Sequence, residues 1–235
     1  MNTDSALWAV VPAAGIGCRF AADSPKQYQP IAGRPVLGWS LAALLGVRNL
    51  CRVSVAVSGG DHRFSELPEA EDGRVRTCTG GGTRQASVQA ALEDLLAAGA
   101  QRDDGVLVHD AARPGLTAAL AQTLVDTVGD DPNGGLLAMP IGDTVKQGDS
   151  GGTVEATLPR DRLWLAQTPQ FFPLGRLMDA LAHAHRVGAT VTDEASAMEA
   201  QGFRPRLVMG SQRNLKLTHA ADRLVLEALL GEGLA

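Results

Sequence analysis

The loop after the first predicted strand constrains this chain more than any other segment. Residues 7–11 are apolar and rich in β-forming side chains, which predicts a buried strand that ends at Pro12. Residues 13–15 are Ala-Ala-Gly, and a second glycine follows at Gly17. Side chains this small let backbone N–H groups approach a ligand closely. The segment therefore predicts an anion-binding loop at the carboxyl end of a strand.

Two basic residues, Arg19 and Lys26, stand on the same loop. They would supply fixed positive charge for a triphosphate and for negative charge that develops at a reacting phosphorus. A dinucleotide fingerprint needs a third glycine where the chain has Phe20, and a P-loop needs Gly-Lys-Ser/Thr, which this loop lacks. A glycine-rich turn with two solvated cations is the alternative. The combination of strand, small residues, Arg19 and the segment 24–26 favours a phosphate site.

Length and composition restrict the class of protein. A chain of 235 residues with 45% apolar and 20% charged side chains predicts one large α/β domain over 1–235. Its net charge of −5 argues against a nucleic-acid or anionic-membrane surface. The three cysteines form no CxxC pattern, and neither a signal sequence nor an apolar membrane span stands out. We expect a soluble cytoplasmic protein with no nucleic-acid or membrane partner.

Strand and helix patterns alternate along the chain. This alternation predicts an α/β, single-domain, Rossmann-like fold with a mostly parallel twisted sheet flanked by helices and ligands at the carboxyl ends of its strands. A flexible turn at residues 148–152 interrupts the alternation and predicts a protruding β-hairpin arm at about 142–159. The predicted strands are 7–11, 53–57, 75–79, 105–109, 135–140 and 206–209, and the predicted helices are 36–45, 85–98, 117–128, 173–187, 193–200 and 220–230.

A second glycine-rich segment, residues 80–88, joins a predicted strand to a predicted helix. The N–H groups and positive dipole at the start of this helix, with the hydroxyl of Ser87, would suit recognition of a planar base. A plain loop with a helix N-cap explains the same residues equally well.

Asp110 follows the predicted strand 105–109, where ligands usually bind. A buried carboxylate there needs a cation, and Mg²⁺ held by one carboxylate, phosphate oxygens and water fits this requirement. The alternative is an ion pair between Asp110 and Arg113. We interpret His109 as structural, because nothing nearby completes an acid–base or nucleophilic arrangement.

Other polar residues are ambiguous from their own pattern. Thr144, Arg160 and Thr168 would suit a sugar-phosphate dianion, but a solvated hairpin and a core Phe pair also explain their segments. Thr192 fits a helix N-cap, and Lys216 fits a solvated lysine.

Taken together, the motifs resemble a known enzyme family. PAAGxGxR at 12–19 and PKQY at 25–28 resemble nucleotidyltransferases of the sugar-nucleotide type, and HDAARP, TPQFF, TDEAS and NLKLT narrow the resemblance to 2-C-methyl-D-erythritol 4-phosphate cytidylyltransferases over residues 7–230. The resemblance implies a nucleotidyltransferase fold. It also implies transfer of CMP from CTP to that sugar-alcohol phosphate in the non-mevalonate isoprenoid pathway, Mg²⁺ as cofactor, and a homodimer in which the arm reaches the partner subunit.

The resemblance also implies roles for individual residues. Attack by the acceptor phosphate on the α-phosphorus of CTP needs neither a covalent intermediate nor a general base. Many relatives carry an acidic residue at the position of Gly82, so a base contact there would come from the backbone. The implied roles are catalytic for Arg19, Lys26 and Lys216; nucleotide-binding for Pro12, Ala13, Ala14, Gly15, Gly17, Gly81, Gly82, Ser87 and Ala111; substrate-binding for Arg113, Thr144, Arg160, Thr168 and Thr192; and metal-binding for Asp110.

Three other functions stay open at this point. A cytidylyltransferase acting on ribitol 5-phosphate would share the nucleotide loops and differ at the acceptor residues. An NAD-dependent dehydrogenase is disfavoured by Phe20. A non-catalytic regulator would bind CTP without releasing pyrophosphate.

Overall fold

The structure is a computed structural model that describes residues 6–15 and 25–231. Its strands are β1 (Leu7–Pro12), β2 (Pro30–Ile31), β3 (Arg34–Pro35), β4 (Leu50–Val57), β5 (Val75–Thr79), β6 (Gly105–Val108), β7 (Gly135–Pro140), β8 (Val145–Gly148), β9 (Val154–Leu158), β10 (Trp164–Pro173) and β11 (Arg206–Met209). Its α-helices are α1 (Val36–Leu45), α2 (Arg84–Ala97), α3 (Ala118–Val128), α4 (Leu174–Arg186), α5 (Glu194–Ala200) and α6 (Ala220–Gly231). Short 3₁₀ turns lie at Lys26–Tyr28, Phe64–Glu66 and Pro68–Glu71.

The central sheet has the strand order β11-β7-β10-β6-β1-β4-β5. Neighbouring strands are parallel except at β10, which runs antiparallel to both β6 and β7. The prediction of a mostly parallel sheet flanked by helices is therefore confirmed. Because β1 pairs with β4 on one side and β6 on the other, the carboxyl ends of these three strands lie side by side.

Strand β1 is apolar throughout because helices cover both faces of the sheet. Leu7, Ala9 and Val11 point into a core shared with α1 and α3, whereas Trp8 and Val10 point into a core shared with α2 and α4. All five side chains are at most 8% exposed. The central strands are thus fixed from both sides, and their carboxyl ends form a rigid edge.

Sequence patterns missed strand β10. Its apolar character is interrupted by polar residues, among them the buried Gln170. The side-chain amide of Gln170 donates to Asp193 Oδ2 at 2.8 Å and accepts from the backbone N–H of Ala195 at 2.7 Å. These bonds from the start of α5 satisfy the buried amide, which allows a polar residue inside the sheet. The adjacent pair Phe171 and Phe172 fills the two cores on opposite faces.

The predicted hairpin arm is confirmed as the separate two-stranded sheet of β8 and β9. Lys146 Nζ donates to Thr157 Oγ1 across it at 2.7 Å, and Asp149 Oδ1 accepts the backbone N–H groups of Gly151 and Thr153 in its turn. The side chains of the arm are mostly exposed. Its stability therefore comes from bonds within the hairpin rather than from the cores.

The structural alternative for Thr192, an N-cap of α5, is wrong by one residue. Asp193 is the N-cap, because its Oδ1 accepts the N–H of Ser196 at 3.0 Å and Ser196 Oγ accepts the N–H of Asp193 at 3.2 Å. Such reciprocal bonds satisfy two helix-terminal donors at once. Thr192 is exposed beside this cap.

None of the helices in the described ranges combines the length and apolarity that crossing a lipid bilayer requires.

Candidate active site

A cavity of about 430 Å³ opens at the carboxyl ends of β1 and β6, facing the start of α2. It contains most of the residues predicted to bind a nucleotide. The predicted residues that line it are Pro12, Ala13, Ala14, Gly15, Lys26, Gly81, Gly82, Ser87, Asp110, Ala111 and Lys216. Gly17 and Arg19 lie outside the described residues.

A second cavity of about 230 Å³ adjoins the first. Among the predicted acceptor residues, Arg113, Thr168 and Thr192 line it. Arg84, Asp110 and Lys216 line both cavities and so form the wall between them.

Side chains from neighbouring segments hydrogen-bond the backbone carbonyls of residues 13–15, which follow β1. Gln27, which is 4% exposed, donates its side-chain amide to the carbonyls of Ala13 and Gly15 at 2.7 and 3.3 Å. Ser58 Oγ donates to the carbonyl of Ala14 at 2.8 Å. The N–H of Ala13 extends the sheet by donating to Ala56 at 2.7 Å, so this N–H does not serve as a ligand donor. With all three of their carbonyls hydrogen-bonded, residues 13–15 are held in place before a ligand arrives.

The segment 80–82 packs directly against this loop. A Cβ on Gly80 would lie 2.5 Å from the Cβ of Ala14, so the close approach requires glycine. Ser87 Oγ accepts the N–H of Gly81 at 3.2 Å and lies 3.0 Å from the carbonyl of Thr83, which shapes the turn. A Cβ on Gly82 would meet nothing within 4 Å, so packing does not demand glycine there.

Asp110 is the centre of charge in the site. Its Oδ1 accepts Arg84 Nε at 2.9 Å and its Oδ2 accepts Lys216 Nζ at 2.7 Å. Arg113 Nε lies 3.9 Å from Oδ2, so the ion pair predicted as the alternative is a long contact. The close partners are Arg84, which was not a predicted site residue, and Lys216, which was predicted but not as a partner of Asp110. Burial alone would raise the pKa of Asp110, but Arg84 and Lys216 hold that pKa well below its usual range. The carboxylate is therefore ionised at neutral pH.

Lys216 reaches Asp110 because the chain after β11 returns across the sheet edge. Leu217 is fully buried with Ile31, Val36 and Leu226, and its N–H donates to the carbonyl of Ala112 at 2.8 Å. Lys26 Nζ lies 3.4 Å from the carbonyl of Leu217. The same segment thus places two of the three lysines of the chain at one cavity.

His109 is structural, as predicted. It is fully buried, its Nε2 lies 3.3 Å from the carbonyl of Arg113 and its Nδ1 lies 3.1 Å from Thr168 Oγ1. Because a carbonyl can only accept, Nε2 carries the proton and Nδ1 accepts from the hydroxyl. Burial lowers the pKa of His109 to about 4. Thr168 Oγ1 also accepts the N–H of Asp110 at 3.0 Å, so Thr168 fixes the backbone at the carboxylate.

The remaining acceptor residues differ in placement. Arg113 donates to the carbonyls of Asn214 at 2.8 Å and Ala166 at 3.4 Å, and these bonds fix it in the second cavity. Thr144 and Arg160 lie exposed at the base of the arm and line neither cavity as the described residues form it. One chain therefore brings together only part of the predicted acceptor set.

Asp110 can bind a divalent cation only with help from other ligands. Among the described residues, no group of three His, Cys, Asp or Glu side chains could hold a metal by itself. A carboxylate has about four acceptor positions, of which Arg84 and Lys216 use one each. This donor set suits a metal that arrives on phosphate oxygens rather than one held by the protein alone.

The sheet and the two adjoining cavities agree with the nucleotidyltransferase class that the sequence motifs predicted. A sequence model of the IspD family, described as 2-C-methyl-D-erythritol 4-phosphate cytidylyltransferase, matches residues 7–232. The chain therefore belongs to this family.

Individual relatives agree with this assignment. The 2-C-methyl-D-erythritol 4-phosphate cytidylyltransferase of Bordetella pertussis is 50% identical over 95% of this chain and 98% of its own length. That of Paraburkholderia phymatum is 46% identical over 98% of this chain and 99% of its own. A crystal structure of 4-diphosphocytidyl-2C-methyl-D-erythritol synthase superposes with a TM-score of 0.83 at 37% identity, covering 96% of this chain and 99% of that one.

Proposed function

We propose that the protein transfers CMP from CTP to 2-C-methyl-D-erythritol 4-phosphate. The products are pyrophosphate and 4-diphosphocytidyl-2-C-methyl-D-erythritol, and the step belongs to the non-mevalonate isoprenoid pathway. Family membership supports this activity. The observation that carries it is the pair of adjoining cavities that share Arg84, Asp110 and Lys216, because an in-line transfer needs donor and acceptor on two sides of one reacting phosphorus.

Catalysis in this proposal consists of positioning and charge stabilisation. The acceptor phosphate is largely a dianion at neutral pH and attacks the α-phosphorus without a general base. Lys26 and Lys216 line the first cavity, which supports a role for both in balancing the negative charge that collects on the phosphorus and on the leaving pyrophosphate. Arg19 stays a predicted third cation for the same task. Arg113 in the second cavity would bind the acceptor phosphate.

Mg²⁺ is the proposed cofactor, with Asp110 as its protein ligand. When bound, the metal would neutralise charge on the nucleotide phosphates. The ionised state of Asp110 and its unused acceptor positions support this role.

We further propose that the enzyme works as a cytoplasmic homodimer in which the arm completes the acceptor site of the partner subunit. Thr144 and Arg160 lie away from the cavities of their own chain. Large apolar side chains are exposed on the arm and at its base, namely Val154, Leu158, Trp164 and Leu165. Burying such a patch against a second copy is a common reason for its presence.

The test is pyrophosphate release by the purified protein with CTP and Mg²⁺, comparing 2-C-methyl-D-erythritol 4-phosphate with ribitol 5-phosphate. We expect release only with the branched acceptor, together with a product of the mass of its CDP derivative. Release with ribitol phosphate alone would keep the nucleotide chemistry but refute the proposed acceptor. Release with neither would refute the transfer reaction.

Base recognition is tested by replacing CTP with UTP. We expect a strong preference for CTP, because the backbone of the segment 81–82 lies at the cavity and can read the cytosine edge without a carboxylate. Equal turnover of both nucleotides would show that this backbone does not discriminate the base.

A further inference from the structure

Arg84 and Glu194 form an ion pair behind the site to which the mechanism above gives no task. Glu194 is 1% exposed, and its Oε1 and Oε2 accept Arg84 Nη1 and Nη2 at 2.7 and 2.9 Å. The third guanidinium nitrogen, Arg84 Nε, donates to Asp110 Oδ1. One guanidinium thus joins a carboxylate at the cavity to a second carboxylate buried behind it.

The location of this pair is electrostatically unusual. Arg84 is the first residue of α2, where the positive end of the helix dipole disfavours a cation. Glu194 is the first residue of α5, where the dipole favours an anion. Buried ion pairs contribute little net stability compared with apolar packing, so stability alone does not explain the arrangement.

The geometry points to Glu194 as a positioning residue that sets how strongly Asp110 binds a divalent cation. Because Glu194 holds both Nη groups of Arg84, only Nε reaches Asp110, and the other acceptor positions of that carboxylate stay available. Glu194 also offsets the charge of Arg84, which would otherwise repel a cation. This inference rests on the proposed function, in which Asp110 binds Mg²⁺ together with CTP.

Loss of the Glu194 charge would affect a cation and an anion in opposite directions. With Glu194 neutral, Arg84, Arg113 and Lys216 would surround the single carboxylate of Asp110. The guanidinium of Arg84 could then turn both of its outer nitrogens toward Asp110. The extra positive charge and the loss of free acceptor positions on Asp110 would both weaken metal binding. The same positive charge would favour binding of the nucleotide polyanion.

The experiment compares the wild-type protein with Glu194→Gln. Mn²⁺ binding in the presence of CTP is measured by the enhancement of water-proton relaxation, which distinguishes Mn²⁺ on the protein from Mn²⁺ on free CTP, and CTP binding is measured calorimetrically in EDTA. We expect about tenfold weaker Mn²⁺ binding, as is typical when an outer-shell partner of a metal ligand is lost. Binding of metal-free CTP should be as tight as in the wild type or tighter.

Glu199→Gln is the matched control, because it makes the same change at an exposed position of the same helix. It should leave both affinities unchanged. If Glu194→Gln does not fold, Glu194→Asp keeps the charge but sets the carboxylate back by one methylene from Arg84, and we expect Mn²⁺ binding weaker than in the wild type by less than about tenfold.

Unchanged Mn²⁺ affinity in a folded Glu194→Gln protein would overturn the inference. So would an equal loss of Mn²⁺ and metal-free CTP binding, because that result describes general damage to the site. Asp110→Asn separates this failure from failure of the proposed metal site. If Asp110→Asn binds Mn²⁺ as the wild type does, Asp110 is not the ligand, whatever the role of Glu194.

Discussion

The cavity at the sheet edge and the hairpin arm are built in opposite ways. In the cavity, side chains from distant parts of the chain fix one another, as when Arg84 and Lys216 bind Asp110 across 26 and 106 residues of sequence. In the arm, the bonds are local, such as that of Lys146 to Thr157, and most side chains are exposed.

The same difference distinguishes the residues predicted to bind the nucleotide from those predicted to bind the acceptor. Every residue within the described ranges that was predicted to bind the nucleotide lines the first cavity. The predicted acceptor residues divide between the second cavity and the arm. If the acceptor site is shared between two chains, as proposed, acceptor binding would depend on assembly, whereas nucleotide binding would not.

The largest expected effect concerns the centre of the cavity. Asp110→Asn removes the charge that balances Arg84 and Lys216 and the proposed ligand of Mg²⁺. We expect turnover to fall by about a thousandfold in steady-state pyrophosphate release. Asp103→Asn, the same change at an exposed position, should leave turnover unaltered. A loss below tenfold for Asp110→Asn would mean that the cavity does not depend on this carboxylate.

The same Lys→Ala change can be made in both regions, because Lys26 lies at the cavity and Lys146 lies on the arm. We expect Lys26→Ala to lower kcat at saturating CTP by about a hundredfold, because a preorganised cation at the developing charge is lost. Lys146→Ala should change kcat less than about twofold, as exposed pairs contribute little. Near-normal turnover of Lys26→Ala would contradict its catalytic role.

A smaller and more selective effect is expected at the base of the arm. Arg160→Ala should raise the KM for methylerythritol phosphate about tenfold while the KM for CTP stays constant, because an acceptor-phosphate contact is lost and the nucleotide cavity is untouched. Arg162→Ala, the same change at a neighbouring exposed position, is the control and should leave both KM values unchanged. A parallel rise in both KM values would place Arg160 at the nucleotide rather than the acceptor.

Much of the fold follows from local patterns in the sequence. Strand β1 and helix α1 were predicted within one residue of their ends because apolar periodicity and flanking Pro or Gly mark them. Strand β10 was missed because its buried amide at Gln170 is satisfied by α5, which no local pattern reveals. The alternative in which Thr192 caps α5 was wrong by one residue, because Thr192 and Asp193 are both good capping residues and local sequence does not choose between them.

The sequence predicted which segments form the site, but not the contacts between their side chains. Asp110 and Lys216 each stood out in their own segments, yet their contact depends on how the chain after β11 crosses the sheet edge. Arg84 and Glu194 carried no signal of their own. Arg84 lies inside the segment 80–88 and Glu194 inside the TDEAS motif, but neither was given a role, and only the tertiary fold shows that they bind each other.

The claim at the centre of this account is that the cavity of one chain and the arm of another form one reaction centre. Asp110→Asn and Arg160→Ala chains, co-expressed with different affinity tags and purified through both, would give dimers that contain each variant once. One of the two sites would then have an intact cavity and an intact partner arm, so at an acceptor concentration well below the wild-type KM, where Arg160→Ala alone is impaired, we expect about half of the wild-type activity per dimer. Activity no higher than that of the separate variants would contradict a site shared between subunits.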